Sequence, residues 1–199
     1  MKNIKFRSWN ICFYIFFALF ILSFVLGTIL YKTGRVDFLT TLFQKVFYLY
    51  DKGFGMAFAV QCAAVLPFFA LFVFGVTIYA PVTSFITVLL MGALSGGYCS
   101  YIMRLNRVAL CIFEIIFSSI TSYLLIIYST MITLTALRIF TDVKKSDCPE
   151  IFDGTLFCAK GFRNIFNFRY ILSYIGFFLF ICTFVTLAAA LRAVAVTLF

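Results

Sequence analysis

Residues Ile11–Tyr31 read ICFYIFFALFILSFVLGTILY, a run of 21 residues without a single charge. Roughly 20 helical residues cross the hydrocarbon of a bilayer. Lys2, Lys5 and Arg7 stand just before it. A signal peptide has the same basic flank, but its apolar region is about 7–15 residues long and ends at a small-residue cleavage site. This run is longer and no Ala-x-Ala-like site follows it, so it reads as a retained first span.

The rest of the chain has the same character. Of its 199 residues, 64% are hydrophobic, 21% aromatic and 12% charged. Soluble domains are about half apolar and a quarter charged. Twenty-nine Phe exceed what one soluble core of this length hides, so the bilayer must solvate much of the surface. Sixteen Lys and Arg against seven Asp and Glu leave a net charge of +9. These basic residues stand at the ends of apolar runs, where they anchor helices. They form no patch with interleaved aromatics, which argues against nucleic-acid binding.

Four further spans follow from the pattern. Met56–Ala80 carries Gln61 as its main polar residue, and Pro67 is expected to kink it. The junction Ala80–Pro81 is short and uncharged, so this span and Val82–Met103 are expected to form an antiparallel hairpin. After the tight basic turn Arg104-Leu105-Asn106-Arg107 comes Val108–Leu137, 30 residues long. That is either one tilted helix or a helix broken near Ser118–Ser122, leaving a half-helix with Glu114. Tyr170–Leu191 is the fifth span.

In the connector 35–54, Phe38, Leu39, Leu42, Phe43, Val46, Phe47, Leu49 and Tyr50 recur at helical spacing. Asp37, Thr40, Thr41, Gln44, Lys45 and Lys52 take the other face. This predicts an amphipathic helix, lying in the interface plane or packed on the spans, with Asp37 as N-cap and Gly53 as stop. Residues 138–169 hold most of the remaining charge, and Pro149 and Asp153-Gly154 argue against one long helix there.

The expected class is therefore all-α: a polytopic transmembrane bundle of five spans plus one interfacial helix, a single membrane domain over 1–199. With the N-terminus inside, that side holds Lys2, Lys5, Arg7, Arg138, Lys144, Lys145, Lys160, Arg163 and Arg169. The other side holds Lys32, Arg35, Lys45, Lys52, Arg104, Arg107 and Arg192. Nine against seven places the N-terminus in the cytoplasm and the C-terminus outside.

Few residues could carry chemistry. There is no His, which removes His-ligated zinc and Ser–His or Cys–His nucleophiles. Cys12, Cys62, Cys99, Cys111, Cys148, Cys158 and Cys182 include no CxxC pair. Five lie in apolar runs and read as small hydrophobes. Cys148 and Cys158 share a loop and would bridge only in an oxidising space; the reading here is free thiols.

Two constellations remain. In Gly92-Ala93-Leu94-Ser95-Gly96-Gly97, Gly92 and Gly96 form GxxxG, Ala93 and Gly97 repeat the spacing, and Ser100 extends it. Residues four apart share a helix face, so this face admits another backbone closely. It packs either on another span of this chain or on a second protein, a second copy included. The other constellation is Glu114, the only acid inside a span. A carboxyl facing lipid costs several kcal/mol, so it should face the bundle. It lies about 9 Å along its helix, a shallow depth. Arg104, Arg107 and Arg192 share its side, and Arg192 matches it in depth. An ion pair Glu114–Arg192 would staple the fourth span to the fifth. No catalytic set, cofactor site or metal site assembles around it.

The order of these features resembles the stage II sporulation protein M family of bacterial and archaeal membrane proteins. The likeness runs through the first span, the connector 35–54 and the Gly75-Val76-Thr77 to Pro81 junction. It continues through MGALSGGYCSYI (91–102), CIFEII (111–116), TALRIFTDVKK (135–145) and the last span. Members carry a His-Gly-x-x-Glu-like element at the start of the fourth run. Here Cys111-Ile112-Phe113-Glu114 keeps the Glu, Leu110 stands where the His would be, and the flanking Pro residues and an acid in the last span are missing. The resemblance implies a non-enzymatic scaffold in the cytoplasmic membrane, recruiting partners such as peptidoglycan hydrolases during engulfment. The alternative is a transporter or permease subunit with Glu114 near a polar path.

Overall fold

A computed structural model of the protein describes residues 2–34, 37–50, 53–75, 77, 79–105, 108–145 and 168–198. The described elements are helices: α1 (Lys2–Lys32), α2 (Asp37–Tyr50), α3 (Phe54–Cys62), α4 (Leu66–Phe74), α5 (Ala80–Arg104), α6 (Val108–Lys145) and α7 (Phe168–Leu198). Among the described residues, five segments are long and apolar enough to cross a membrane: Ser8–Lys32, Phe54–Phe74, Ala80–Arg104, Val108–Leu137 and Tyr174–Val194. The chain is thus an all-α, multi-pass bundle. Cys148 and Cys158 lie outside the described residues, as does most of the charged segment after Lys145.

The second span bends where its sequence says it must. Pro67 has no N–H for the carbonyl of Ala63, and its ring crowds that carbonyl. The chain answers with a 3₁₀ turn over Ala63–Val65 between α3 and α4, and Pro67 falls in the first turn of α4. The span stops at Phe74 rather than running on to Ala80. The carbonyl of Phe74 accepts bonds from the Thr77 backbone N–H (2.9 Å) and the Thr77 hydroxyl (2.6 Å), closing a turn. Helix α5 then starts at Ala80 with Pro81 in its first turn, where a missing N–H costs nothing.

The expected hairpin of spans two and three is splayed. Helix α4 touches α5 near their turn, but α5 lies mainly along α1 and α6, while α3 lies against α7. The bend at Pro67 and the small-residue face of α5 account for this. The bend redirects α3, and that face selects a partner whose backbone can approach.

Helix α6 is continuous over 38 residues, about 57 Å. The fourth run is therefore one long helix, with no break at Ser118–Ser122. The hydroxyls there bond to carbonyls of their own helix: Ser119 to Ile115 (2.6 Å), and Thr121 to Phe117 (3.1 Å) and Ser118 (3.0 Å). Such back-bonding more often bends a helix than breaks it, and α6 stays helical through this stretch. The middle of α6 is buried on most sides by its neighbours, with Leu125, Ile126, Tyr128, Ser129, Thr130, Ile132, Thr133 and Ala136 all enclosed. Ile15, Leu22, Leu90, Ile116, Leu179 and Leu187 point outward, as a surface solvated by lipid requires.

Helix α2 packs on this bundle by a narrow stripe. Phe43 is buried, and Leu42 and Val46 lie partly buried beside it. Phe38, expected on the packed face, is 71% exposed, and Tyr48 is 63% exposed. The apolar arc of α2 is wider than the bundle surface it meets. Gly53, with φ of 108°, separates α2 from α3 in a conformation that costs glycine little and other residues much.

Candidate functional site: a glycine seam and a buried ion pair

The glycine seam is filled from within the chain. A Cβ on Gly96 would overlap the carbonyl oxygen of Phe24, and one on Gly92 would overlap Ser23 and approach the Phe20 carbonyl to 2.8 Å. The partner contributes its own small residues. A Cβ on Gly27 would overlap the carbonyl of Ala93. Helices α1 and α5 therefore meet backbone to backbone, and Thr28 of α1 also places its hydroxyl 3.3 Å from the Gly96 carbonyl. Of the two uses open to this face, the structure shows packing on a span of the same chain.

Two members of the predicted set do other work. Gly97 makes room for α2: a Cβ there would stand 3.3 Å from the Phe43 ring. That ring sits among Tyr98 (5.5 Å between centroids), Tyr101 (5.8 Å) and Tyr31 (6.1 Å). Ser100 is buried and donates to the Gly96 carbonyl of its own helix at 3.0 Å.

The second constellation joins α6 to α7. Arg192 Nη2 pairs with Glu114 Oε2. Glu114 is 1% exposed and the Arg192 side chain 17%. Arg192 depends on small neighbours for its position. Ala188, Ala189 and Ala193 are buried on the same stretch of α7, so Arg192 leans inward without a large side chain in its way. Its guanidinium lies over the Tyr98 ring at 5.9 Å. Gln61 of α3 and Thr121 of α6 line the crevice it borders. Arg104 is exposed at the end of α5, and the Arg107 side chain lies outside the described ones. Depth separates the candidates: Arg192 stands inside a span end, while Arg104 stands at the rim.

One turn before Glu114, Cys111 is buried with its Sγ 3.9 Å from the carbonyl of Cys99. Cys12, Cys62, Cys99, Cys111 and Cys182 are free thiols. Among the described residues, no three metal-ligating side chains gather.

Sequence reasoning passed over Ser23 and Gly27, which complement the seam from α1. Their spacing of four was the available signal, since small-xxx-small recurs wherever span backbones touch. It also passed over the aromatic group Tyr31, Phe43, Tyr98 and Tyr101, whose members come from three helices and follow no common spacing.

Comparison with models of protein families, with curated proteins and with solved structures finds no match for this chain. The resemblance to the stage II sporulation protein M family thus rests on the order and spacing of its short motifs.

Proposed function

We propose that the protein is a non-enzymatic membrane scaffold, a role similar to that implied by its resemblance to the stage II sporulation protein M family. The pairing of Glu114 with Arg192 supports this reading best. An acid that serves transport must change partner or protonation during its cycle. Glu114 instead ties two spans together at a shallow depth, which suits a bundle that holds its shape while other proteins assemble on it. The partners would be membrane or membrane-associated proteins, peptidoglycan hydrolases among them. With the Gly92–Gly96 face filled by α1, the exposed flank of α2 at Gln44 is the better candidate contact surface. The positive-inside count favours an N-terminus in the cytoplasm and a C-terminus outside.

A photocrosslinking residue at Gln44, exposed beside the Phe38–Thr41–Lys45–Tyr48 stripe, tests this in native membranes. The expected result is an adduct with a defined second protein, lost when the probe is moved to the lipid-facing Leu22 or Leu187. Adducts confined to lipid and to this chain would contradict the reading. So would a solute or proton flux in reconstituted vesicles that Glu114→Gln abolishes without loss of fold.

A further inference from the structure

We infer that the rim formed by the end of α1, helix α2 and the end of α5 is a binding surface for the headgroups of anionic phospholipids. Tyr31, Phe43 and Tyr101 gather these three elements, with ring centroids 5.8–6.1 Å apart. The basic residues next along each element are exposed: Lys32 beside Tyr31, Lys45 two residues after Phe43, and Arg104 one turn beyond Tyr101. A single aromatic cluster therefore brings the three elements that carry these cations to one rim.

The exposed stripe of α2 has the matching layout. Phe38, Thr41, Lys45 and Tyr48 follow at intervals of three and four, so they share a face. All four are exposed, opposite the Phe43 stripe that grips the bundle. Two aromatic anchors with a lysine between them suit the headgroup region, where aromatic rings sit at the boundary and lysine reaches the phosphates. In sequence, segments 32–52 and 104–107 carry Lys32, Arg35, Lys45, Lys52, Arg104 and Arg107 against Asp37 and Asp51. Glu114, the nearby acid with a described side chain, is engaged by Arg192. Charge complementarity thus points to an anionic rather than a zwitterionic lipid, and each basic residue near an anionic surface favours it by roughly fivefold.

The full chain with Trp9→Phe and Tyr48→Trp carries one tryptophan, on this stripe, since Trp9 is the natural one. It is reconstituted in phosphatidylcholine vesicles containing brominated phosphatidylglycerol or, separately, brominated phosphatidylcholine. Quenching gives the relative lipid occupancy. The expected result is a preference of about fivefold or more for phosphatidylglycerol, shrinking as salt rises. Lys32→Gln with Lys45→Gln and Arg104→Gln should bring it near unity, and Lys45→Gln alone should reduce it in part. Lys2→Gln with Lys5→Gln and Arg7→Gln, at the other end of α1, should leave it unchanged. Equal quenching by the two lipids in the parent chain would overturn the proposal. A preference that survives the triple rim substitution, or that falls equally with the distant triple, would do so too.

Discussion

The seams α1–α5 and α6–α7 solve the same problem by opposite means. Lipid tails are as apolar as leucine, so burying apolar area gives spans no reason to associate. At α1–α5 the chain removes side chains, and backbones touch through Gly27, Gly92 and Gly96. At α6–α7 it adds charge, and Glu114 meets Arg192. The first seam is held by many weak contacts spread along the helix. The second adds to its aromatic packing, where Tyr128 meets Phe177 and Phe178, one ion pair whose partners are each costly alone. The seams should therefore fail differently: the first through added volume, the second through a lost partner.

The largest effect should come from Gly96→Val. Its side chain would meet the Phe24 carbonyl, which is backbone and cannot rotate away, so the helices must part. Overpacking of this kind costs about 3 kcal/mol or more, read as loss of folded protein in mixed-micelle unfolding. Gly92→Ala should cost less, about 1–3 kcal/mol, because its first obstacle is the movable Ser23 hydroxyl.

Arg192→Leu comes next, or close to level. It leaves Glu114 buried without its cation, a change worth about 3–5 kcal/mol when one partner of a buried pair is removed. The same unfolding assay checks it. If the loss is below about 1 kcal/mol, the α6–α7 seam does not depend on the pair.

Two smaller changes sharpen the contrast. Tyr174→Phe deletes the hydroxyl that donates to the Phe72 carbonyl at 2.7 Å and should cost about 1 kcal/mol. Thr28→Val removes the hydroxyl near Gly96. It should cost about 0.6 kcal/mol, the average for interhelical bonds in membranes, showing that the glycine seam does not rest on one hydrogen bond.

Much of this was legible in the sequence, for physical reasons. A span must be about 20 apolar residues long, so Ile11–Tyr31 announces itself. Proline cannot donate, so Pro67 marks a bend. A shallow buried acid needs an equally shallow cation, and depth alone chose Arg192 over Arg104. The identity of the helix facing Gly92 and Gly96 was not legible. A face without side chains states that something comes close, not which helix does. The unbroken α6 was also hidden, because serine and threonine hydroxyls can bond within a helix or help open it, and composition does not distinguish the two. The outward turn of Phe38 depends on how much of α2 the bundle can cover, which is a property of the packed whole.

The central claim is that Glu114 and Arg192 act as one unit in stabilising the bundle. A double-mutant cycle of Glu114→Gln and Arg192→Gln, read by reversible unfolding in mixed micelles, tests it most directly. The account predicts that the double variant loses less than the sum of the single losses, with a coupling of roughly 1–3 kcal/mol. Losses that simply add would contradict it.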